Sequence, residues 1–377
     1  MSIDTATAQR GTRRNAAVEI EDLRVQFRAG KETVYAVNGV TLSVAQGETL
    51  GIVGESGCGK STAGFAMMRL LPEKITLISG RIIVAGNEIQ GLPEAKLAGM
   101  RGRDIAMIYQ DPMTSLNPVL RIGEQIVETL LAHKKMTRAA ARSRASELLE
   151  LVGIPDPEMR LDSYPHEISG GMRQRVMIAM AVALEPKVLI ADEPTTALDV
   201  TTQAQILQVL KTLSGKTGTA LVMITHDLGV VAGTTSRVAV MYAGHVIEHA
   251  MTETLFAEPR HPYTVGLMRA VPRIGSEDEE LVPISGSPPD QREMPVFCPF
   301  APRCRWRVAS CWNEVPPLVA HGEHEVACFN PVLSKEAEVG VPLRDGFGVP
   351  PPSRDTKAFR SAIAFEPSGL QNTIVGG

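Results

Sequence analysis

The chain has no long apolar run, no excess of either charge, no internal repeat and no C-x-x-C pair, and each absence narrows what it can do. Its most apolar stretch, residues 176–184, is cut off by Glu185-Pro186-Lys187. That is too short to cross a bilayer, which takes about 20 apolar residues. Arg10, Arg13 and Arg14 have no apolar run behind them, so the N-terminus does not read as a secretory signal. With 38 Lys and Arg against 42 Asp and Glu the formal charge is −4, which supplies no electrostatic argument for nucleic acid or an anionic lipid surface as partner. A cytoplasmic chain is expected, with any membrane association made through another protein.

What is present is a 377-residue chain with 44% hydrophobic residues, enough for one large domain and a smaller one. Residues 1–16 are small, polar and basic and read as a disordered tail. Residues 18–44 alternate apolar and polar around Gly30 and Gly39, which predicts antiparallel strands and turns. Thr49-Leu50-Gly51-Ile52-Val53 is a short apolar strand running into a glycine-rich turn, and residues 63–71 continue as a helix ended by Pro72. Residues 122–151 carry a helical pattern. Val188-Leu189-Ile190-Ala191 and Ala220-Leu221-Val222-Met223-Ile224 are continuous apolar runs, as buried parallel strands require. Each is followed by a polar motif, at the strand end where open α/β sheets bind ligands.

Gly54-Glu55-Ser56-Gly57-Cys58-Gly59-Lys60-Ser61 fits G-x-x-x-x-G-K-[ST] after a strand and before a helix. The glycines let the backbone turn tightly and aim its N–H groups at phosphate oxygens, and the helix N-terminus adds a favourable dipole. Lys60 would reach the β- and γ-phosphates of ATP and Ser61 would ligate Mg²⁺, with Thr62 next on the helix. Cys58 reads as a compact residue whose backbone N–H matters, not as a redox centre. At the end of the 188–191 run, Asp192 is placed to hold the metal shell and Glu193 to act on the attacking water as general base.

Between these two lies a second glycine-bearing segment, Ile168-Ser169-Gly170-Gly171-Met172-Arg173-Gln174. It resembles the LSGGQ signature of ATP-binding cassette (ABC) ATPases, with Ile168 in place of Leu and Met172 in place of Gln. The resemblance implies an α/β P-loop nucleotide-binding domain: a RecA-like core, an antiparallel β subdomain and an α-helical signature subdomain at about residues 115–180. It implies that Gln110 is the glutamine that contacts Mg²⁺ and water and senses the transporter, and that His226 is the switch histidine at the γ-phosphate. Ala197-Leu198-Asp199 would cross to the opposing subunit, and Phe27 would stack on adenine, with Tyr35 as its rival. Ser169, Gly170 and Gly171 would serve the nucleotide of a second ATPase subunit in trans.

Ser169 comes only 109 positions after Lys60, room for a small helical subdomain but not for the coiled-coil arms of chromosome-maintenance relatives. A single motif set argues against the two-cassette translation factors. Tyr109-Gln110-Asp111-Pro112-Met113-Thr114-Ser115-Leu116-Asn117-Pro118, Tyr164-Pro165-His166-Glu167 and His261-Pro262-Tyr263-Thr264 resemble elements of dipeptide/oligopeptide- and nickel-importer ATPases. That implies ATP-driven uptake at the cytoplasmic face of the inner membrane. Its partners would be two permeases, an extracytoplasmic solute-binding protein and a second, distinct ATPase, with no nucleic acid. Nickel or another small solute as cargo, and a soluble non-transport ABC ATPase, are the alternatives.

The domain limits expected are 17–270 for the cassette, 271–331 for a small Cys-rich C-terminal module and 332–377 for a tail. Cys298, Cys304, Cys311 and Cys328 fall within 31 residues, a full ligand set for one metal centre. The family resemblance points to a [4Fe–4S] cluster there. Tetrahedral zinc is the alternative, since His321 or His324 could replace a thiolate, and disulfides or free thiols are the remaining readings. The segment's weak apolar pattern predicts little core of its own, so bound metal would supply folding energy.

Overall fold

Alternating apolar residues build a long antiparallel ribbon, β1 (Ala16–Ala29) and β2 (Glu32–Ala45), joined at Gly30-Lys31. In this computed structural model residues 16–111, 115–196, 198–270 and 283–332 are described. Residues 1–15 and 333–377 of the predicted tails, residues 271–282 of the predicted C-terminal module, Pro112, Met113, Thr114 and Ala197 lie outside the described residues, whereas Ala16 begins β1 and Val332 is buried. With β4 (Thr76–Val84) and β5 (Asn87–Glu88) the ribbon forms a four-stranded sheet in the order β2-β1-β4-β5.

The second sheet holds the apolar runs. It contains β3 (Thr49–Val53), β6 (Ile105–Ile108), β7 (Val188–Asp192), β8 (Ala220–Thr225), β9 (Arg237–Tyr242), β10 (His245–Met251), β11 (Val319–His321) and β12 (His324–Val326). Their order is β11-β12-β10-β9-β3-β8-β7-β6, with β9, β3, β8, β7 and β6 parallel. Every residue of β7 and β8 is buried, because both faces of a parallel sheet are covered. Against one face pack the four-stranded sheet and helix α1 (Lys60–Met68), through Leu23, Val37, Met67 and Ile82. Against the other pack α3 (Ile122–His133), α4 (Arg138–Leu151), α5 (Pro157–Leu161) and α6 (Gly170–Val182), through Ile126, Leu148, Leu161 and Ile178. The short α2 (Glu94–Met100) precedes β6, while α7 (Val200–Thr217) and α8 (Leu228–Thr234) flank β8. Among the described residues no helix is long and apolar enough to cross a membrane.

One local expectation is corrected and another, the helical pattern over 122–151, is resolved into its parts. The helix after the glycine-rich turn stops at Met68, earlier than Pro72 suggested, because Arg69 takes a left-handed conformation (φ 49°) and closes the last turn. The pattern over 122–151 is two helices, separated at residues 134–137, where the Thr137 hydroxyl accepts the Ala140 N–H as an N-cap.

The C-terminal stretch departs further from expectation, since it does not stand apart as a module with little core. Strand β12 pairs with β10 and extends the main sheet. Cys298, Phe300, Cys304, Cys311 and Trp312 are buried in one cluster with Tyr242, Leu255 and Tyr263 of the cassette. After α9 (Thr252–Ala257) and at the start of α10 (Pro262–Arg269), the backbone N–H groups of Arg260 and His261 donate to Glu248. The carboxylate of Glu248, wholly buried, also takes a 2.7 Å bond from His324 Nε2. Three donors on one buried carboxylate lock β10, β12 and α10 together, as a buried charge demands.

Candidate functional site: a phosphate loop, a carboxylate pair and a histidine

Strand order decides what meets. Because β8 lies between β3 and β7, the carboxyl ends of these three strands bring the phosphate loop, Asp192-Glu193 and His226 side by side. The loop is held by close backbone approach. A Cβ on Gly54 (φ 156°) would stand 2.2 Å from the Met241 carbonyl oxygen, and one on Gly59 (φ 101°) would stand 2.2 Å from that of Ala36. Ser56 and Gly57 are exposed at the tip, and Thr62 is half-buried on the first turn of α1. Lys60 is buried and curls over its own loop, donating to the carbonyls of Gly54 at 2.8 Å and Glu55 at 2.9 Å. Cys58 lies beneath it; burial raises its thiol pKa against the opposing charge of Lys60. A neutral, packed thiol fits the reading of Cys58 as a small filler.

Ser61 Oγ donates to Asp192 Oδ1 at 2.9 Å. Two expected Mg²⁺ ligands, 131 residues apart in sequence, are therefore in contact. Burial pushes the Asp192 carboxyl above its usual range, and the charge of Glu193 adds to this, while Ser61 and Lys60 oppose it.

Glu193 gathers the rest. Its backbone is left-handed (φ 46°), with its N–H bonded to the Ile224 carbonyl. A non-glycine residue in this region is held there by its surroundings. Gln110 Nε2 donates to Glu193 Oε2 at 3.0 Å, and His226 Nδ1 lies 3.0 Å from Oε1. Burial favours the neutral acid, yet the bonds from His226 and Thr196 outweigh it, so the Glu193 pKa falls below its ordinary value. Thr196 was not anticipated. Its hydroxyl donates to Glu193 Oε2 at 2.8 Å across a turn closed by its own N–H on the Glu193 carbonyl. A Pro-Thr-Thr turn just after the acid was the signal available in the sequence.

Ser169 N-caps α6, accepting the Met172 N–H, and Ser169 and Gly170 are exposed. The space over Gly170 is open. Met172 turns inward and packs against the helical cluster. A second unanticipated contact ties this helix to the site: buried Gln174 donates to the Pro194 carbonyl at 2.8 Å, directly after Glu193. Asp199 caps α7 through the N–H and hydroxyl of Thr202. Phe27 is half-buried against the ribbon core, and the half-buried Tyr35 donates its N–H to the Gln291 carbonyl.

The four C-terminal thiols are free, as is Cys58, so the disulfide reading does not hold. They lie close enough for their charges to interact, and each sulfur accepts backbone N–H groups: Cys298 from Phe300 and Ala301, Cys304 from Trp306, Cys311 from Val308 and Cys328 from Asn330. Burial lifts Cys298 to about 11, Cys328 to about 12 and Cys304 further. Among the described residues no three His, Cys, Asp or Glu side chains are placed to hold a metal ion. Neither histidine of the zinc alternative is free to replace a thiolate: His324 is bonded to Glu248, and His321 is exposed in the β11–β12 hairpin, so zinc would need the four cysteines themselves.

Fold and site define a P-loop nucleotide-binding cassette. The ABC transporter family profile matches residues 37–196, and the profile of the oligopeptide/dipeptide transporter C-terminal region matches residues 247–311. The oligopeptide transport ATP-binding protein OppD of Salmonella typhimurium is 49% identical over 333 residues, covering 88% of this chain and 99% of that protein. The dipeptide transport ATP-binding protein DppD of Bacillus subtilis is 49% identical over 314 residues, covering 83% of this chain and 94% of its own length. Among solved structures, the ATP-binding cassette MJ0796, dimeric in a post-hydrolysis state with ADP and Pi, superposes with a TM-score of 0.57. It is 28% identical and covers 62% of this chain and 98% of that one. The chain belongs to the ATP-binding proteins of oligopeptide and dipeptide ABC transporters.

Proposed function

We propose that this protein is the ATP-hydrolysing subunit of an importer for dipeptides or oligopeptides. The observation that carries the chemistry is the convergence of Gln110, Thr196 and His226 on Glu193, beside the Ser61–Asp192 contact. The N–H groups of residues 54–61 and the Lys60 ammonium hold the ATP phosphates. Phe27 stacks on adenine. Ser61, Asp192 and Gln110 would hold Mg²⁺, which neutralises charge on the β- and γ-phosphates when bound. Glu193 takes the proton of the water whose oxygen attacks the γ-phosphorus, the bridging oxygen leaves on ADP, and His226 holds the γ-phosphate.

Ser169 and Gly170 of the signature are exposed and Gly171 is half-buried beside them, which supports completion of the site by a second ATPase, a distinct paralogue. Leu198 and Asp199 lie toward that partner. The cassette spans about 17–270, its helical part about 115–180, and the C-terminal segment about 271–331, with tails at 1–16 and 332–377. Two permeases and a solute-binding protein complete the complex, and this chain sits on the cytoplasmic face of the inner membrane. Co-expression of the complex should yield labelled-peptide uptake and ATPase activity that rises with the peptide-loaded binding protein. Activity indifferent to permeases and peptide but raised by nucleic acid would overturn this reading.

The four cysteines are proposed to hold a [4Fe–4S] cluster with a structural role. The reading rests on the family resemblance and on four neighbouring sulfurs, three in buried residues and one in the half-buried Cys328, each accepting backbone N–H groups; among the described residues no three of them are placed around one metal ion. Protein purified without oxygen should carry about four iron atoms per chain and lose thermal stability on chelation. Iron-free protein of unchanged stability would rule the cluster out.

A further inference from the structure

The outer face of the phosphate loop is clasped by residues from the C-terminal stretch. Arg303 places a two-pronged fork on Glu55, with Nη1 to Oε2 at 2.9 Å and Nη2 to Oε1 at 3.1 Å. The same guanidinium donates to the Tyr242 hydroxyl and to the carbonyls of Ile284 and Ser285. Its side chain is 6% exposed, against 26% for Glu55. The Tyr263 hydroxyl accepts the Glu55 N–H at 2.8 Å, and Gln291 Nε2 donates to the Gly57 carbonyl at 2.6 Å. The loop's turn is thus set from both sides, by the Ala36 and Met241 carbonyls and the Tyr263 hydroxyl within the cassette and by Gln291 and Arg303 from the C-terminal stretch.

Charge gives this clasp a consequence for the ligand. Glu55 is the one acid in residues 54–61, and it adjoins the place where a triphosphate must sit. Left alone, its carboxylate would repel ATP. Paired with a guanidinium fork, it is neutralised and held in one orientation. Arg303 belongs to a short 3₁₀ turn, Ala301–Arg303, that runs between Cys298 and Cys304. The cysteine-bearing stretch therefore reaches directly into the nucleotide site.

We propose that Arg303 is a positioning residue for ATP, neutralising Glu55 and fixing the outer face of the phosphate loop, so that the C-terminal stretch is part of the nucleotide site. This rests on the reading of residues 54–61 as the loop that holds ATP.

The test is steady-state ATPase kinetics of the full complex, with equilibrium binding of a fluorescent ATP analogue and thermal unfolding, for Arg303→Gln, Arg303→Lys, Glu55→Gln and Glu55→Gln/Arg303→Gln. Arg303→Gln should raise KM for ATP about tenfold with kcat within about twofold, a loss confined to binding. Arg303→Lys keeps the charge without the fork and should raise KM about threefold. The double variant removes the unpaired carboxylate and should recover most of the loss. A folded Arg303→Gln complex with unchanged KM, or with kcat reduced and KM unchanged, overturns the proposal. Should Arg303→Gln fail to fold, Arg303→Lys and the double variant decide it: both at the wild-type KM refutes it, while a raised Arg303→Lys value beside a recovered double variant supports it. A wild-type complex that neither binds nor hydrolyses ATP would remove the ATPase reading itself. Normal wild-type turnover with insensitive variants removes only the role of Arg303.

Discussion

Glu193→Gln should leave ATP binding intact and slow hydrolysis by about a thousandfold, within the range that general-base catalysis supplies. The substitution is isosteric, so an amide oxygen can still accept the Thr196 hydroxyl that now bonds Oε2. What disappears is the negative charge that receives the water's proton, while Ser61, Lys60 and Asp192 keep their places around the phosphates. Single-turnover hydrolysis beside equilibrium ATP binding separates the two effects. Near-normal turnover with undisturbed binding would show that Glu193 is not the base, leaving its contacts with Gln110 and His226 as structural ones.

Gly59→Ala should damage the nucleotide site by steric means alone. The residue sits at φ 101° with its would-be Cβ 2.2 Å from the Ala36 carbonyl oxygen, and a β2 backbone atom cannot step aside as a flexible side chain can. Left-handed strain and overpacking together cost on the order of 3 kcal/mol. Relieving that overlap would displace the N-terminus of α1, which carries Lys60 and Ser61. ATP affinity should fall about a hundredfold, since each 1.4 kcal/mol is a factor of ten, and the melting temperature should drop with it. Gly57→Ala is the control. Its φ is 80°, but nothing lies within 4 Å of the added carbon, so it should cost only the backbone strain of about 1–2 kcal/mol. Equal affinities in both variants would refute the steric account.

The two substitutions probe residues of different legibility. Gly59, Lys60 and Ser61 could be read from one local motif, because phosphate binding by a loop needs a fixed run of small residues in chain order. Asp192 and Glu193 followed from an apolar strand ending in acids. Gln110 and His226 needed family resemblance, since an isolated Gln or His after a strand carries no local signature. Thr196, Gln174, Tyr263, Gln291 and Arg303 make contacts that no spacing announced. Arg303 meets Glu55 across 248 positions, a separation over which sequence pattern carries no geometric information. The C-terminal stretch was misjudged for a related reason. Its own apolar pattern is weak, but its core is shared with Tyr242 and Tyr263, and local periodicity cannot register a borrowed core.

By itself the sequence determined the apolar strands, the phosphate loop and the carboxylate pair at a strand end, all consequences of nearby residues and backbone geometry, while the signature was legible through family resemblance. Tertiary structure alone decided that β8 lies between β3 and β7, that Glu193 collects Gln110, Thr196 and His226, and that a C-terminal arginine closes on the phosphate loop. The physical reason is the same in each case. Hydrogen bonds and ion pairs between distant segments form only where packed sheets and shared cores bring them within about 3 Å, and nothing in linear spacing encodes that approach.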